Sequence, residues 1–526
     1  MTSATRVSLH ATLRPVDHIP PPVLAQGLRI GLYDTICSQA MSTFGAAPFL
    51  VAIALSLGSS TMVIGLITAL GPLAQLVQLP AMRIIELAQR RKLIVVLIVA
   101  LSRVFWVGIA AAPFIAPVAW RIPLFLASLF WMYLFGSISL LAYNMWMRDL
   151  VPEPIRGEYN GHRAAIATLV GAALSIALGV GADVYGNYRD RVELLSLYLL
   201  VAAAIGFLGC WFLARIPEPR MRKPPTSSLH LALRAPFLDS NYRALVWFLS
   251  GWSFAINLAL PFFAVFMLER LHLSLGWIMG LSVFSQGGSV FFLRLWGRLA
   301  DRFSNLAVLR IVGPVFLIAL LMWALLPQVP WPALVILLLI LLHIVAGAAM
   351  AGVGMVTGNM AMKLAPPERS GPYLAVVATM TGIAATLAPV LVGLFARAFE
   401  QGGVASPGHI VLAHVAGYDI GLLDGVYVAT VVLGALSLRL LKSIDEPGDE
   451  HPAIVRALLF RLMRAGWRRS FGVQGFVALM HFPYASVAAA KGTRFGEVFA
   501  REPADIDGTW RVRSGGDLLE RSADRD

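Results

Sequence analysis

Charge is what this chain has least of. Asp, Glu, Lys and Arg make up 13% of its 526 residues, about half of the roughly 25% that a soluble domain carries on its wetted surface. The shortage excludes an ordinary string of soluble domains and suits a lipid-facing protein, in which each charge left in hydrocarbon is expensive. Cysteine is nearly absent: Cys37 and Cys210 both lie in apolar runs, which rules out a disulfide framework and a thiolate metal site. No Walker-type phosphate loop is present. No nucleophile–base pair or metal-ligand spacing stands out, so an enzyme, a metal and a cofactor are not expected. The polar start, with Pro20-Pro21-Pro22, lacks the charged, apolar and small-residue order of a cleaved signal peptide.

What is there in quantity is hydrophobicity, at 58% of residues and a mean hydropathy of +0.74. A helix needs about 20 apolar residues to cross a bilayer, and about twelve segments meet that length. They run over 30–56, 60–85, 93–116, 122–148, 162–184, 194–214, 243–268, 275–297, 306–327, 333–360, 373–398 and 418–441. The expected organisation is a segment 1–29, a six-helix bundle 30–214, a linker 215–242, a second bundle 243–441 and a tail 442–526. Pro217, Pro219, Pro224 and Pro225 mark the linker as non-spanning.

The net charge of +13 does not point to nucleic acid, because its arginines fall between apolar runs rather than on one soluble face. One side collects Arg90-Arg91-Lys92, Arg148, Arg156, Arg220, Arg222, Lys223, Arg298, Arg302, Lys363 and Arg369. The positive-inside rule makes that side cytoplasmic, with both termini inside an inner (plasma) membrane. Trp120, Trp277 and Trp331 near segment ends fit interfacial belts.

The two halves repeat. Met62-Val63-Ile64-Gly65-Leu66 resembles Trp277-Ile278-Met279-Gly280-Leu281, and Asn144-Met145-Trp146-Met147-Arg148 resembles Asn359-Met360-Ala361-Met362-Lys363, both at an offset of 215 residues. Glu86 and Asp301 share that offset. Parallel halves related about the membrane normal are the architecture such a repeat builds.

Gly297-Arg298-Leu299-Ala300-Asp301-Arg302 resembles the motif between the second and third helices of each half in the major facilitator superfamily. The first-half copy is weaker: Met82, Glu86 and Leu87 stand where Gly, Asp and a basic residue are usual, and Arg90-Arg91-Lys92 restore the basic cluster. The resemblance covers about residues 30–441 and implies an all-α membrane protein of two pseudo-symmetric six-helix bundles. It also implies a secondary transporter that moves a small solute by alternating access, with protons as a candidate coupling ion and the bilayer as its surroundings. By that likeness Asp301 approaches the start of the fifth helix and Glu86 the start of the eleventh. A carboxylate there can accept bonds from open helix N–H groups, with Arg148, Arg156, Lys363 and Arg369 as nearby ion-pair candidates. Helix capping and topology are the competing reading of all these residues.

Intramembrane charge is the second signal. Asp34, just inside the first helix, is a candidate proton carrier, a candidate partner for a cationic substrate, or a solvated helix-end residue. Arg103, near the middle of the third, is a candidate anion ligand or a structural partner of Asp34. The family likeness puts a solute cavity between helices one, four, seven and ten. Gln39, Ser42, Trp131, Tyr133, Trp252, Asn257 and His343 lie at mid-depth there, each also explicable as interhelical packing. Two departures from the family are visible: the fourth helix lacks the Arg of many members, and the fifth lacks the Gly-Pro pair typical of drug antiporters.

In the tail, Ile454, Val455, Leu458, Leu459, Leu462 and Met463 recur at helical spacing among Arg456, Arg461, Arg464, Arg468 and Arg469. Such a basic amphipathic helix suits anionic lipid or a protein partner. That tail keeps a rival reading open, a non-transporting assembly factor or sensor on the same scaffold.

Overall fold

The computed structural model describes residues 14–115, 117–184, 188–221, 229–366, 370–397, 411–415, 418–446 and 484. The basic helix expected at 454–469 lies outside the described residues, as does Arg369. Among the described residues eleven helices are long and apolar enough to cross a membrane. The twelfth is Thr61–Gln75, which resumes after two residues as Gln78–Ala88.

We number the spanning helices in chain order. In the first half α1 is Pro21–Ser56, interrupted at Gly45-Ala46, and α2 is the pair Thr61–Gln75 and Gln78–Ala88. Then follow α3 (Arg91–Ala111), α4 (Arg121–Leu150), α5 (Glu153–Val184) and α6 (Tyr188–Leu213). A short helix at Leu229–Leu238 precedes the second half. There α7 is Ser240–Ala259, α8 Leu275–Arg302, α9 Asn305–Leu325, α10 Pro332–Lys363, α11 Ser370–Arg397 and α12 Leu422–Arg439. Several helices begin earlier than their apolar runs, α1 at Pro21 and α5 at Glu153. A helix does not stop where hydrocarbon ends, and polar first turns continue it into the headgroup layer. An antiparallel hairpin, β1 (Val411–Val415) and β2 (Tyr418–Gly421), sits between α11 and α12.

Packing repeats the sequence repeat. In the first half α1 packs on α5 and α6, α3 on α4 and α6, and α2 on α4. The second half reproduces every pair six helices later: α7 on α11 and α12, α9 on α10 and α12, α8 on α10. The two most extensive contacts between the halves are α2 with α11 and α5 with α8, and these exchange under the same symmetry. Lipid tails are as apolar as leucine, so hydrophobicity does not hold spanning helices together and close backbone approach does. The sequence supplies it with glycine. A Cβ at Gly393 would stand 2.9 Å from the Met62 Cα, and one at Gly65 would meet the Pro389 carbonyl oxygen at 2.5 Å. A Cβ at Gly179 would stand 2.9 Å from the Gly276 Cα. All these contacts lie in the half of the molecule away from the basic loops.

Candidate functional site

The first half holds charge in its interior. Asp34 of α1 is buried, with its Oδ1 close over α6, where a Cβ at Gly209 would stand 3.4 Å from it. Ser38 lies one turn on along the same helix. Arg103 of α3 crosses α6 at Gly206, where a Cβ would come 2.5 Å from its Cδ and 2.8 Å from the Met41 sulfur. Its Nε is buried and has no hydrogen-bond partner. From α5, Arg163 donates through Nε to the Thr35 hydroxyl at 2.7 Å and through Nη2 to the Tyr143 hydroxyl at 2.5 Å. The same guanidinium lies 5.5 Å from the Tyr143 ring centroid and 5.6 Å from that of Tyr159, within cation–π range. Tyr159 in turn donates to the Leu28 carbonyl at 2.9 Å. Helices α1, α3, α4, α5 and α6 thus converge on one acid and two bases. At the repeat positions 215 residues later the second half has Leu249, Ile318, Gly358 and Ala378 in place of Asp34, Arg103, Tyr143 and Arg163. The scaffold is duplicated and its polar centre is not.

The other mid-depth candidates separate. Gln39 donates to Thr43 at 3.3 Å and packs over Gly171 of α5, and exposed Ser42 donates to the Gln39 carbonyl. Trp252 is buried between Phe248 and Phe316 in the second-half core. Asn257 donates to the Ser253 carbonyl and His343 bonds the Leu339 carbonyl through Nδ1, each bonding within its own helix. Trp131 is exposed and stacks on Phe105 and Phe135. Of the proposed solute and coupling residues, the structure brings together Asp34 and Arg103. It adds Arg163, which the sequence reading passed over because it lies near the start of a helix.

At the basic-loop end the two halves are finished alike. Glu218, just after α6, is buried and accepts from the Arg91 backbone N at 2.8 Å, at the first turn of α3. The Arg91 side chain lies 3.5 Å from the same carboxylate, pairs with Asp149 and donates to the Met145 and Pro219 carbonyls. Glu446, just after α12, accepts from Leu306 N at 2.7 Å, at the first turn of α9, from Asn305 Nδ2 at 2.8 Å and from Lys363 Nζ at 2.8 Å. Arg91 and Leu306 are 215 apart, the offset of the repeat. Both carboxylates therefore cap a helix N-terminus, where the open N–H groups favour negative charge. Their balance differs. Burial pushes the Glu218 carboxyl up against the bonds it accepts from Lys92 and Arg91. Burial works the same way on Glu446, but the bonds from Lys363, Asn305 and Leu306 overcome it and hold the group below its ordinary value.

The sequence-predicted gating residues sit around these caps. Arg156 donates to the Arg148 carbonyl at 2.9 Å and to Val151, closing the end of α4. Arg148 is exposed beside Asp149. Lys363 pairs with Glu446 of its own half. Arg302 is exposed at the end of α8, its guanidinium 5.9 Å from the Phe303 ring centroid. A Cβ at Gly297 would meet Met355 of α10 at 3.9 Å, ordinary contact. The side chains of Glu86 and Asp301 lie outside the described residues.

At the opposite end the sequence reading missed a link between halves. Asp183, in the last turn of α5, accepts through Oδ2 from the Ser274 hydroxyl at 2.6 Å and from Gly276 N at 2.9 Å. Ser274 is the N-cap of α8. Glycines 179 and 276 meet one turn away.

Twelve helices in two bundles of like connectivity, joined only loosely in sequence and meeting through α2, α5, α8 and α11, are the build of a membrane transporter. The family profile of the Major Facilitator Superfamily matches residues 35–389, and the chain belongs to that family. Among solved structures it is similar to a D-xylose–proton symporter, with a TM-score of 0.61 at 14% identity over 82% of this chain and 100% of the other. It is similar to the nucleoside transporter NupG, with a TM-score of 0.58 at 15% identity over 80% of this chain and 100% of the other. A bacterial homologue of the human lysosomal transporter Spinster, in an inward-facing and unoccupied conformation, gives a TM-score of 0.54 at 17% identity over 81% and 98%. At these identities the likeness is one of fold. No curated protein matches the chain in sequence.

Proposed function

We propose that this protein is a secondary transporter that moves a small solute through the membrane by alternating access, with the Asp34–Arg103–Arg163 cluster as its coupling and binding centre. The basic loops face the cytoplasm in this reading, so Asp183 and the paired glycines close the outer side and the Glu218 and Glu446 caps lie inside. The halves, 30–214 and 243–441, rock about the α2–α11 and α5–α8 contacts, and Asp301 and Glu86 act at the inner gate.

The observation that carries the reading is the buried charge in α1, α3 and α5. A structural bundle gains nothing from one acid and two arginines in hydrocarbon, whereas a transporter uses such groups to hold and release solute and protons. The test is flux. Proteoliposomes holding the purified chain and a trapped proton-sensitive dye are challenged with a library of neutral, cationic and anionic solutes. Solute-dependent proton movement above that of empty vesicles is expected, and Asp34→Asn abolishes it while sparing exchange of solute down its own gradient. Vesicles indifferent to every class of solute would overturn the assignment.

A further inference from the structure

The charge of the first-half cluster does not sum to zero. Asp34 is its one carboxylate, and Arg103 and Arg163 are two guanidiniums that no other acid neutralises. Among the described residues no carboxylate stands within the 4.0 Å of an ion pair from either arginine. Arg163 is held by neutral hydroxyls and rings, and Arg103 has a buried Nε with no acceptor. The second half offers no compensation, since its equivalent positions are Leu249, Ile318, Gly358 and Ala378. A buried charge without a partner is strongly unfavourable, so a site left with one surplus positive charge is suited to receive a negative one.

We propose that the cluster binds a solute carrying a single negative charge, such as a monocarboxylate, and that the anion and one proton bind together. This rests on the transporter reading and names its substrate class. Asp34 is faced by Arg163 and Tyr159 from α5, Arg103 from α3, Tyr143 from α4, Cys210 from α6 and Cys37 of its own helix. Ionised Asp34 repels an incoming anion and offsets through space part of the positive field of both arginines. When its carboxylate takes up a proton, that repulsion ends and the full field of the arginines acts on the anion, so each ligand raises the affinity for the other by the same factor. The charge balance follows. The empty, ionised site carries one net positive charge, and the site holding both anion and proton carries the same. Both moving forms are equally charged, the cargo sums to zero, and transport answers to a pH gradient but not to a membrane potential.

Two measurements decide. The first needs no solute: apparent Tm of the full chain in detergent at pH 7.5 for wild type, Arg103→Met, Asp34→Asn and the double variant. A surplus arginine kept for a ligand predicts that Arg103→Met raises Tm, by about 2–4 °C. A structural Asp34–Arg103 pair predicts the opposite, a fall that Asp34→Asn reverses in the double variant, and that result overturns the proposal. The second uses the proteoliposomes with matched solutes: gluconate and glucitol, benzoate and benzamide, nicotinate and nicotinamide. Flux is expected for anionic members only, at least tenfold faster at pH 5.5 than at 7.5, unchanged by a valinomycin-imposed potential and lost in Arg163→Gln. Neutral members carried as well as their anions would refute the anion site while leaving the transporter reading intact. If no pair is carried, the sign of the Arg103→Met shift alone decides.

Discussion

Removing the Asp183 carboxylate tests how the side proposed to face outward is held. Asp183 makes two bonds across the halves, to the Ser274 hydroxyl at 2.6 Å and to Gly276 N at 2.9 Å, and both break when α5 parts from α8. In general a hydrogen bond to a charged group is worth about 1.5–3 kcal/mol, but this carboxylate is partly exposed and water replaces much of what it loses. A net of about 1.4 kcal/mol for the pair is a reasonable scale, which is tenfold in an equilibrium constant. Because the bonds exist in only one conformation, the whole of that energy acts on the equilibrium between outer-closed and outer-open forms. Asp183→Ala should therefore raise the ratio of outer-open to outer-closed protein about tenfold. Spin labels on Val118 and Trp331, exposed in loops of opposite halves at the end away from the basic loops, report that ratio as a distance distribution in liposomes. Unfolding temperature should change little, since neither half loses an internal contact. An unchanged distance distribution in Asp183→Ala would show that the glycine contacts alone hold the outer side, and the reasoning from the carboxylate would fail.

Other consequences are as direct. Glu446→Gln should destabilise the protein by about 2 kcal/mol at pH 7.5, less than the 3–5 typical of a broken buried pair because Lys363 is 43% exposed. Since its folded pKa lies below the ordinary 4.5, Glu446 stabilises above that pH and stops doing so as pH falls through the lowered value. The penalty of the variant should thus shrink when melting is followed down to pH 4, and a penalty constant with pH would refute the cap. Gly393→Leu should wedge α11 from α2 and slow transport at least tenfold while each half stays folded, read as flux against near-unchanged helix content by circular dichroism. Asp301→Asn should cut turnover far more than solute affinity or expression. Normal turnover in that variant would remove Asp301 from the inner gate.

The helices and their duplication were legible because lipid imposes length and the repeat imposes offset. Met62 to Leu66 against Trp277 to Leu281 sufficed to pair α2 with α8, the two helices that face across the halves. Asp34 and Arg103 were visible as charges out of place. Arg163 was not, since it stands at the second residue of the apolar run 162–184, which reads as headgroup depth, and only the fold shows the helix starting at Glu153 and Arg163 reaching Thr35 and Tyr143. The Glu218 and Glu446 caps left a trace in the repeat itself, Ile216-Pro217-Glu218-Pro219 against Ile444-Asp445-Glu446-Pro447. They stand 228 apart rather than 215, because the stretch carrying the β1–β2 hairpin lengthens the second half, and the fixed offset hid them. Trp252 and Asn257 mark another limit, one packed between Phe248 and Phe316 and the other bonded within its own helix. Depth along a helix is readable from sequence, but the direction of a side chain around it is not when every face is apolar.

The position of those caps bears on how the protein is made. Glu218 follows the sixth helix and reaches back to the first turn of the third, so the last residues of the half are the ones that finish it. A ribosome releasing the chain in order completes one bundle, pins it, and only then begins the next, which is pinned in the same manner by Glu446. The order of the chain thus allows assembly in two rounds, each ended by a single carboxylate, with a surface of α2 and α5 ready for the second.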